Sequence, residues 1–400
     1  MAESAHAYVR GNTIQFYEWL HGEGASLSIP VGPPIWICGD CHIGNLGPIA
    51  DLEGKVEIQI RDLDQTVMGN PAHDLLRLGL SLAMAARSSD LPGLTTALMV
   101  EVMIDGYIHG LPGGKPGAEA EKIPPIQKVM RSAVSRQWRN LAKEHLRDVT
   151  PKIPLGKKLW PLTESERKRI DDLFDEATER DLVNKLNGGE DDTPIKVVDA
   201  AYWVKGCSSL GRLRYAVLLA AGKKGKRTHR LIDVKEATKA VAPRLKGSPM
   251  PMDNAKRVVM GAEQLSPFLG ERMVPSSLGD HQVVIRELRP QDLKFEFASI
   301  TQNEAIRTAQ LLAGVVGKAH GRQMTVADRS QWSRTLKAGF TKSLEAPSWL
   351  WNGVVDLVAA HEASYLRHCR SFALSQTKED VVVASSRSRS KAGPGRSSRS

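Results

Sequence analysis

The stretch WICGDCHIGNLG, residues 36–47, places two cysteines, an aspartate, a histidine and an asparagine within a dozen positions. It begins inside a short apolar run, IWIC, which predicts a buried strand. Three kinds of site use such residues. Cys38 and Cys41 could form a redox pair, the same cysteines with His42 could bind a metal, and Asp40 with Asn45 could form a catalytic loop.

The two cysteine-based alternatives lack the surroundings that they need. A working C-x-x-C usually lies at a helix N-terminus, where the dipole lowers the thiolate pKa, whereas this pair ends a strand and is followed by glycines. Zinc needs four ligands, or three and a water, and no second Cys or His cluster supplies them. We therefore expect Cys38 and Cys41 to be core residues, which leaves Asp40 and Asn45 unexplained.

The residues after the loop favour a site built on oxygen atoms. LGPIADLEGKVEIQI predicts a hairpin with its turn at 51–54, and the second strand leads into IRDLD. This arrangement would bring Asp62 to the tip that carries Asp40 and Asn45. An aspartate there could accept a hydroxyl proton, and carboxylate and amide oxygens are ligands that Mg²⁺ prefers. Asp64 is then either a further metal ligand or a structural turn residue.

Three segments of this region closely resemble the catalytic segment of aminoglycoside and choline phosphotransferases, members of the protein-kinase-like superfamily. They are GDCHIGN (39–45), IRDLD (60–64) and GNPAHDL (69–75). The resemblance implies that Asp40 is the catalytic base and that Asn45 and Asp62 hold the metal. It also implies that Asp74, early in an apolar helix, anchors the backbone of the catalytic loop.

A kinase-like enzyme also needs a loop over the phosphates and a lysine on a strand, and the β-rich segment after residue 195 has candidates for both. VKGCSSLGRLRYAV predicts two strands joined by a loop that can approach phosphates, although an ordinary hairpin turn would look similar. Lys235, on the third predicted strand, would contact the phosphates. Glu263, in a helix predicted near 253–265, is the acid expected to pair with Lys235. The candidate residues of the loop are Gly206, Ser208, Ser209 and Gly211.

These parts occur in a rotated order. The catalytic loop comes first, then helices and the β-rich segment, and last a helix at 309–321 that resembles the one preceding the catalytic loop in such kinases. That order is a circular permutation, which is acceptable where the original termini lie close together at the surface. With its initial run MAESAHAYVRG and its K-E-A strand, the chain resembles the bacterial family DUF2252 over about residues 1–370.

We therefore predict an α+β fold, a two-lobed and circularly permuted kinase-like fold with a small β-rich nucleotide lobe and a larger, mostly helical lobe. The expected cofactors are ATP and Mg²⁺, and the expected reaction moves the γ-phosphoryl group to a hydroxyl acceptor, more readily a small molecule than a protein. A catalytically silent nucleotide-binding module and nucleotidyl transfer are the alternatives. The predicted parts are 1–190 (the part of the helical lobe that carries the catalytic loop), 191–300 (the β-rich nucleotide-binding lobe), 301–375 (helices completing the helical lobe) and 376–400 (disordered basic tail).

The net charge of +10 in 400 residues is concentrated partly in the tail, SSRSRSKAGPGRSSRS at 385–400, which has five basic residues and no acid. Its Ser, Gly and Pro content favours disorder. A solvated extension is the simplest interpretation, and weak binding to nucleic acid or anionic lipid is the alternative. No apolar run reaches the ~18 residues of a membrane span, and we expect a cytoplasmic protein.

Overall fold

The stretch 36–47 forms the end of a strand and a short loop in the structure, which is a computed structural model of the chain. The structure describes residues 4–113, 123–135, 152–175, 195–204, 211–222, 228–245, 247–293, 300–338, 340–341 and 344–391. Within them the fold is mixed α+β, as predicted. Among these residues no helix is both long and apolar enough to cross a membrane.

Helices dominate both ends of the chain, and strands dominate its middle. The helices are α1 (Ala5–Val9), α2 (Thr13–His21), α3 (Ala72–Ser88), α4 (Gly93–Gly110), α5 (Pro124–Ser135), α6 (Glu164–Leu173), α7 (Asn254–Leu265), α8 (Pro267–Gly270), α9 (Gln302–Gly321), α10 (Val326–Lys337) and α11 (Ser348–Lys391). The strands are β1 (Ile35–Ile37), β2 (Leu46–Ala50), β3 (Val56–Ile60), β4 (Val67–Gly69), β5 (Leu159–Trp160), β6 (Ile195–Trp203), β7 (Arg214–Ala221), β8 (Thr228–Glu236), β9 (Met273–Leu278), β10 (His281–Leu288), β11 (Phe340–Thr341) and β12 (Leu344–Pro347).

Six strands form one sheet in the order β5-β6-β7-β8-β10-β9. Every neighbouring pair in it is antiparallel. Lys235 on β8 lies opposite Arg214 on β7 and opposite Val284 on β10. It therefore occupies the middle of the sheet, where both neighbouring strands restrict its direction.

Most apolar core residues of the helices and of the sheet lie in different clusters. The largest cluster joins α2, α3, α4, α7 and α9 with β1 and the β2–β3 hairpin. Ile170 and Leu173 of α6 cover one face of the sheet, where they join Val217 and Ile285. Trp203 belongs to a smaller cluster, which also contains Leu218 and Leu288. The sheet therefore has clusters of its own, and it also packs on the helices through Met273 and Val284, which belong to the largest cluster.

Helices α4 and α9 pack with their backbones in direct contact. A Cβ added at Gly110 would lie 2.1 Å from Gly314 O, and one added at Gly106 would lie 2.2 Å from Gln310 O. Another added at Gly321 would lie 1.9 Å from Leu111 O. Only glycine permits this approach, since any side chain would push the helices apart. The pairing fixes the position of the C-terminal end of α9.

The main elements predicted from sequence are confirmed. Strands β2 and β3 form the expected hairpin, with Gly54 N bonded to Asp51 O at 3.2 Å in its turn. Strands β6 to β8, helix α7 and helix α9 also lie where the patterns placed them. Strand β9 was not predicted, because MVPSSL has a proline and two serines where a strand usually has apolar alternation. As an edge strand it tolerates Pro275.

The C-terminal prediction differs from the structure. Helix α11 extends to Lys391, so 376–391 are helical where we expected disorder, and 392–400 lie outside the described residues. No glycine or proline occurs between Gly353 and Gly393 to stop the helix. The predicted lobe boundary near 187–194 also lies outside the described residues.

Candidate functional site

Gly39 forms the turn that ends β1 and begins the loop. Its φ is +73°, and a Cβ there would lie 2.2 Å from the backbone O of Gln65. A side chain at this position would therefore be strained by its own φ and by the contact. Tyr17 Oη donates a hydrogen bond to Gly39 O at 2.8 Å, which holds the turn from the side of α2. Asp40 thus follows a turn whose geometry is fixed.

One face of α3 binds the loop. Asp74, Arg77 and Ser81 are buried on this helix with the spacing i, i+3 and i+7, which puts them on one side. The Asp74 carboxylate accepts hydrogen bonds from the N–H groups of residues 38–39, at 2.7 and 3.0 Å. Ser81 Oγ accepts one from Ile43 N at 3.1 Å. Asp74 therefore anchors the loop backbone, the position that the resemblance implied.

Helix α9 supports Asp74 through a chain of buried hydrogen bonds. His320 Nε2 lies 3.1 Å from Asp74 Oδ2, and Tyr107 Oη lies 2.8 Å from His320 Nδ1. Trp332 Nε1 donates to Tyr107 Oη at 3.2 Å. With Nε2 of His320 donating to the carboxylate, Nδ1 is left to accept from the tyrosine. The α4–α9 pair therefore determines where Asp74 can lie.

The two oxygens of the Asp40 carboxylate have different surroundings. Oδ1 accepts a hydrogen bond from Arg77 Nε at 2.9 Å, whereas Oδ2 lies 3.8 Å from His42 Nε2. Burial lowers the pKa of His42 to about 4, so the imidazole is neutral at neutral pH. Asn45 Nδ2 donates to the backbone O of Asp40 at 3.0 Å. Asp40 is thus a carboxylate with one oxygen bound to a buried cation.

The β2–β3 hairpin brings Asn45 next to the segment that carries Asp62. Leu46 pairs with Ile60 in the ladder, and Arg61 N donates to Asn45 O at 2.7 Å. Asn45 and Asp62 therefore flank the same end of the hairpin, as the sequence predicted.

Lys235 reaches this end of the hairpin from the centre of the six-stranded sheet. Its ammonium contacts Asp64 Oδ2 and lies 3.8 Å from Asp62 Oδ1. The side chains of Asp62 and Asp64 are 51% and 35% exposed, so the ion pairs face solvent. Residues that are 171 positions apart are thereby brought to one site.

The two aspartates differ in their pKa. Although Asp62 and Asp64 are partly exposed, the protein around them removes water from the carboxylates and opposes their ionisation. For Asp62 the positive charges of Lys235, Arg286 and Arg214 outweigh this and hold its pKa well below the usual value. For Asp64 this desolvation and the Asp62 charge raise the pKa, against the effect of Lys235. Burial favours neutral Lys235, yet both carboxylates outweigh this and raise its pKa. The lysine is therefore an ammonium held by two carboxylates.

Helix α7 contributes an arginine to the site instead of the expected glutamate. Glu263 is exposed on this helix, and the carboxylates beside Lys235 are those of Asp62 and Asp64. Arg257 of α7 instead donates to the backbone O of Asp64, at 3.0 Å, and to that of Thr66. The expected pairing of Glu263 with Lys235 is therefore wrong for this structure, because Glu263 lies on the solvent side of α7.

The predicted phosphate loop lies mostly outside the described residues. Gly206, Ser208 and Ser209 belong to the part that the structure does not describe. Gly211 is exposed with φ +76°, and a Cβ there would meet no atom within 4 Å. Its backbone conformation suits a turn before β7.

Both cysteines of the opening stretch are buried and free. A hydrogen bond with Cys41 and burial raise the pKa of the Cys38 thiol well above its usual value. A raised pKa disfavours the thiolate that redox chemistry needs. In the described part of the chain no three or more His, Cys, Asp or Glu residues form a group that could hold a metal. The cysteines are therefore core residues, as predicted.

Four residues of the site were not predicted from the sequence, although the first two gave a signal: Arg77, Ser81, Arg257 and His320. In AHDLLRLGLSL the polar residues Asp74, Arg77 and Ser81 interrupt an apolar run at helical spacing. A helix that is buried nearly all round needs a partner for each polar side chain. Arg257 and His320 gave no such signal, since their partners at the site, Asp64 and Asp74, are more than 190 positions away.

The fold is thus a mixed α+β architecture with a six-stranded antiparallel sheet, and its candidate site lies where that sheet meets a helix-bound loop. The family described as "Uncharacterized protein conserved in bacteria (DUF2252)" matches residues 1–371, and the chain belongs to it. No curated protein and no solved structure matches the chain.

Proposed function

We propose that the chain transfers the γ-phosphoryl group of ATP·Mg to a hydroxyl acceptor, more readily a small molecule than a protein. The observation that carries this proposal is the contact of Lys235 with Asp64 and Asp62 beside the loop of Asp40. A strand lysine, a metal-binding aspartate and a loop aspartate are the parts that kinase-like phosphotransfer needs at one point.

The proposal includes a two-lobed, circularly permuted kinase-like architecture. Gln323, just after α9, accepts a hydrogen bond from Trp36 N at 2.7 Å and donates one to Trp36 O at 3.0 Å. In the ordinary kinase-like order this helix leads into the catalytic loop, and here its end lies against β1. The sheet also has an apolar cluster with α6 that is distinct from the cluster of the helices, although Met273 and Val284 of the sheet belong to the latter, and this supports two lobes in contact.

The side chains at the site suit Mg²⁺. Asp62, Asp64 and Asn45 offer oxygen ligands, and Mg²⁺ commonly takes one or two carboxylates together with phosphate oxygens and waters. Burial is the main cause that raises the pKa of Asp64, and the Asp62 charge raises it further. A cation between the two carboxylates would relieve this repulsion. Lys235 supplies that charge here and would be released toward the phosphates when a metal binds.

The surroundings of Asp62 also suit phosphate. The Nε atoms of Arg61 and Arg286 are buried without a hydrogen-bond partner among the described residues. Arg286 Nη1 donates to Arg61 O at 3.2 Å, so the two residues are neighbours. Buried donors that lack an acceptor cost free energy, and phosphate oxygens would supply acceptors.

In the proposed reaction each residue has one task. Lys235 would hold the phosphates as a point charge, and bound Mg²⁺ would neutralise charge on the β- and γ-phosphates. Asp40 would accept a hydrogen bond from the acceptor hydroxyl and take its proton as the new O–P bond forms and ADP leaves. Catalysis would come from positioning and charge neutralisation, with no covalent enzyme intermediate.

A thermal-shift measurement tests the nucleotide site. We expect ATP with Mg²⁺ to raise the unfolding midpoint, since a ligand at ten times its Kd stabilises the folded state by about 1.4 kcal/mol. Lys235→Met and Asp62→Asn should abolish the shift relative to each variant's own baseline. Lys337→Met, which changes an exposed lysine on α10, is the matched control and should keep it.

A turnover assay tests the chemistry. ADP release from ATP·Mg would be followed with a panel of amino alcohols, sugars and nucleosides as acceptors. Mass analysis of the product would tell a phosphate from a nucleotide adduct, and so phosphoryl from nucleotidyl transfer. A thermal shift without turnover would indicate the silent nucleotide-binding module, and the absence of both would contradict the proposal.

A further inference from the structure

Arg77 is a buried arginine to which the proposed reaction gives no task. Its side chain is fully buried, and its three nitrogens bind three different groups. Nε donates to Asp40 Oδ1 at 2.9 Å, Nη1 to Asn12 Oδ1 at 2.8 Å, and Nη2 to Val9 O at 2.6 Å. The guanidinium lies 5.4 Å from the ring centroid of Phe16. A planar group held at three points has little freedom to rotate.

The hydrogen-bond partners of Arg77 other than Asp40 are held in place by further contacts. Asn12 is 2% exposed, and its Nδ2 donates to His361 Nδ1 at 2.5 Å. His361 Nε2 donates in turn to Ala5 O at 2.8 Å. Helix α1 and helix α11 therefore support the arginine from the side opposite to Asp40. The position of Asp40 Oδ1 is thereby set by parts of the chain outside the loop.

Arg77 also makes the two Asp40 oxygens unequal. Oδ1 is occupied by the guanidinium, while Oδ2 lies 3.8 Å from the nearest histidine nitrogen, beyond hydrogen-bond distance. The Asp40 side chain is 13% exposed, so one narrow side of it faces outward. A hydroxyl that approaches Asp40 would find one oxygen available, in one orientation.

We propose that Arg77 is a positioning residue of the phosphotransfer site. It holds Asp40 Oδ1 so that Oδ2 faces the acceptor hydroxyl, and it does not itself touch substrate. This inference rests on the proposed function. It differs from a merely structural role for Arg77, which would stabilise the fold without acting through Asp40.

The first test is Arg77→Lys, which keeps the positive charge but cannot hold three acceptors in one plane. We expect kcat for ADP release from ATP·Mg to fall by about 100-fold, the order expected for a misplaced catalytic group. The KM for ATP should stay within about twofold, because the nucleotide contacts lie elsewhere. Arg87→Lys is the matched control on α3, since exposed Arg87 also forms an ion pair, with Glu362 at 2.9 Å. It should leave the rate unchanged.

The second test is a double-mutant cycle with Asp40→Asn, measured in single turnovers with labelled ATP so that low rates are detected. If Arg77 acts through Asp40, Arg77→Lys should change the residual rate of the Asp40→Asn variant by less than about threefold. An equal loss in both backgrounds would overturn the inference and leave the proposed function standing. A wild-type protein without phosphoryl transfer would overturn both.

Asn12→Ala provides a variant that keeps Arg77 itself, should Arg77→Lys fail to fold. It removes the acceptor of Nη1 and leaves the contacts of Nε and Nη2. We expect a several-fold loss of kcat that disappears in the Asp40→Asn background. A loss of the same size in both backgrounds would again contradict the positioning role.

Discussion

At the scale of single residues, Gly39 and Asp40 show how backbone and side-chain constraints meet in one loop. Gly39 needs a left-handed φ and lies against the backbone of Gln65. Asp40 is then held by Arg77 and, through its backbone, by Asn45. The sequence Gly39-Asp40 thus has a physical reason, since only glycine allows the turn that positions the aspartate.

Gly39→Ala should destabilise the fold by about 2–5 kcal/mol. A positive φ costs an L-residue roughly 1–2 kcal/mol, and crowding against a fixed backbone adds roughly 1–3 kcal/mol. Gly54→Ala is the matched control, because Gly54 has φ +89° but no atom within 4 Å of its Cβ position. Gly54→Ala should lower the free energy of unfolding only by the cost of its positive φ. Urea unfolding measures both, and equal losses would refute the contact argument.

At the scale of elements, the α4–α9 pair is the support of the site. Its glycines bring the two helices together, and the pair carries Tyr107 and His320 to Asp74. Asp74 in turn holds the N–H groups at the end of β1. A change in helix separation would therefore reach the loop through three hydrogen bonds in series.

Gly110→Ala should destabilise the protein by about 1–3 kcal/mol, in spite of the higher helix propensity of alanine. The new methyl would lie 2.1 Å from Gly314 O, so α4 and α9 must separate. Gly93→Ala, at the first residue of the same helix, has open space around its Cβ position and should be neutral or stabilising. Thermal unfolding of the two variants checks this. No loss at Gly110 would mean that the helices can move apart freely.

Sequence patterns predicted elements well and long-range side-chain partners less well. The hairpin, β6 to β8 and most helices follow from local periodicity and turn residues, which a single sequence contains. The wrong assignment at Glu263 has another cause. Whether the exposed or the inward face of α7 meets Lys235 depends on how the helix packs on Thr66, where Gly261 has no room for a Cβ. The local sequence pattern contains no information about this packing.

At the scale of the whole molecule, the hairpin meets the sheet through polar contacts. Arg289 Nη1 donates to Asp51 O at 2.7 Å, and Arg61 Nη2 donates to Asp292 O at 2.9 Å. Met273 and Val284 of the sheet also belong to the apolar cluster of the helices. The junction between the sheet and the rest of the molecule therefore combines polar contacts with a shared apolar contact.

The stability of the molecule should fall as the pH drops from about 6.5 toward 4. Burial lowers the pKa of His42 to about 4, so in this window the unfolded chain binds a proton that the folded chain does not. The free energy of unfolding then decreases with falling pH, by about 1 kcal/mol per unit for this group. Urea unfolding at pH 7, 6 and 5 measures the slope. His42→Gln should reduce the slope by this amount but not abolish it, since burial also lowers the pKa of His73 to about 4. An unchanged slope would exclude His42 as a cause.

The pairing of Gln323 with Trp36 also has a consequence for biosynthesis. The two residues are 287 positions apart, and a ribosome that adds 5–20 residues per second needs roughly 15–60 s to cover that distance. The loop at 36–47 therefore leaves the ribosome long before the helix that supports it has been made. A nascent chain released before residue 320 would lack the histidine under Asp74, and we expect it to expose the loop to proteases and chaperones.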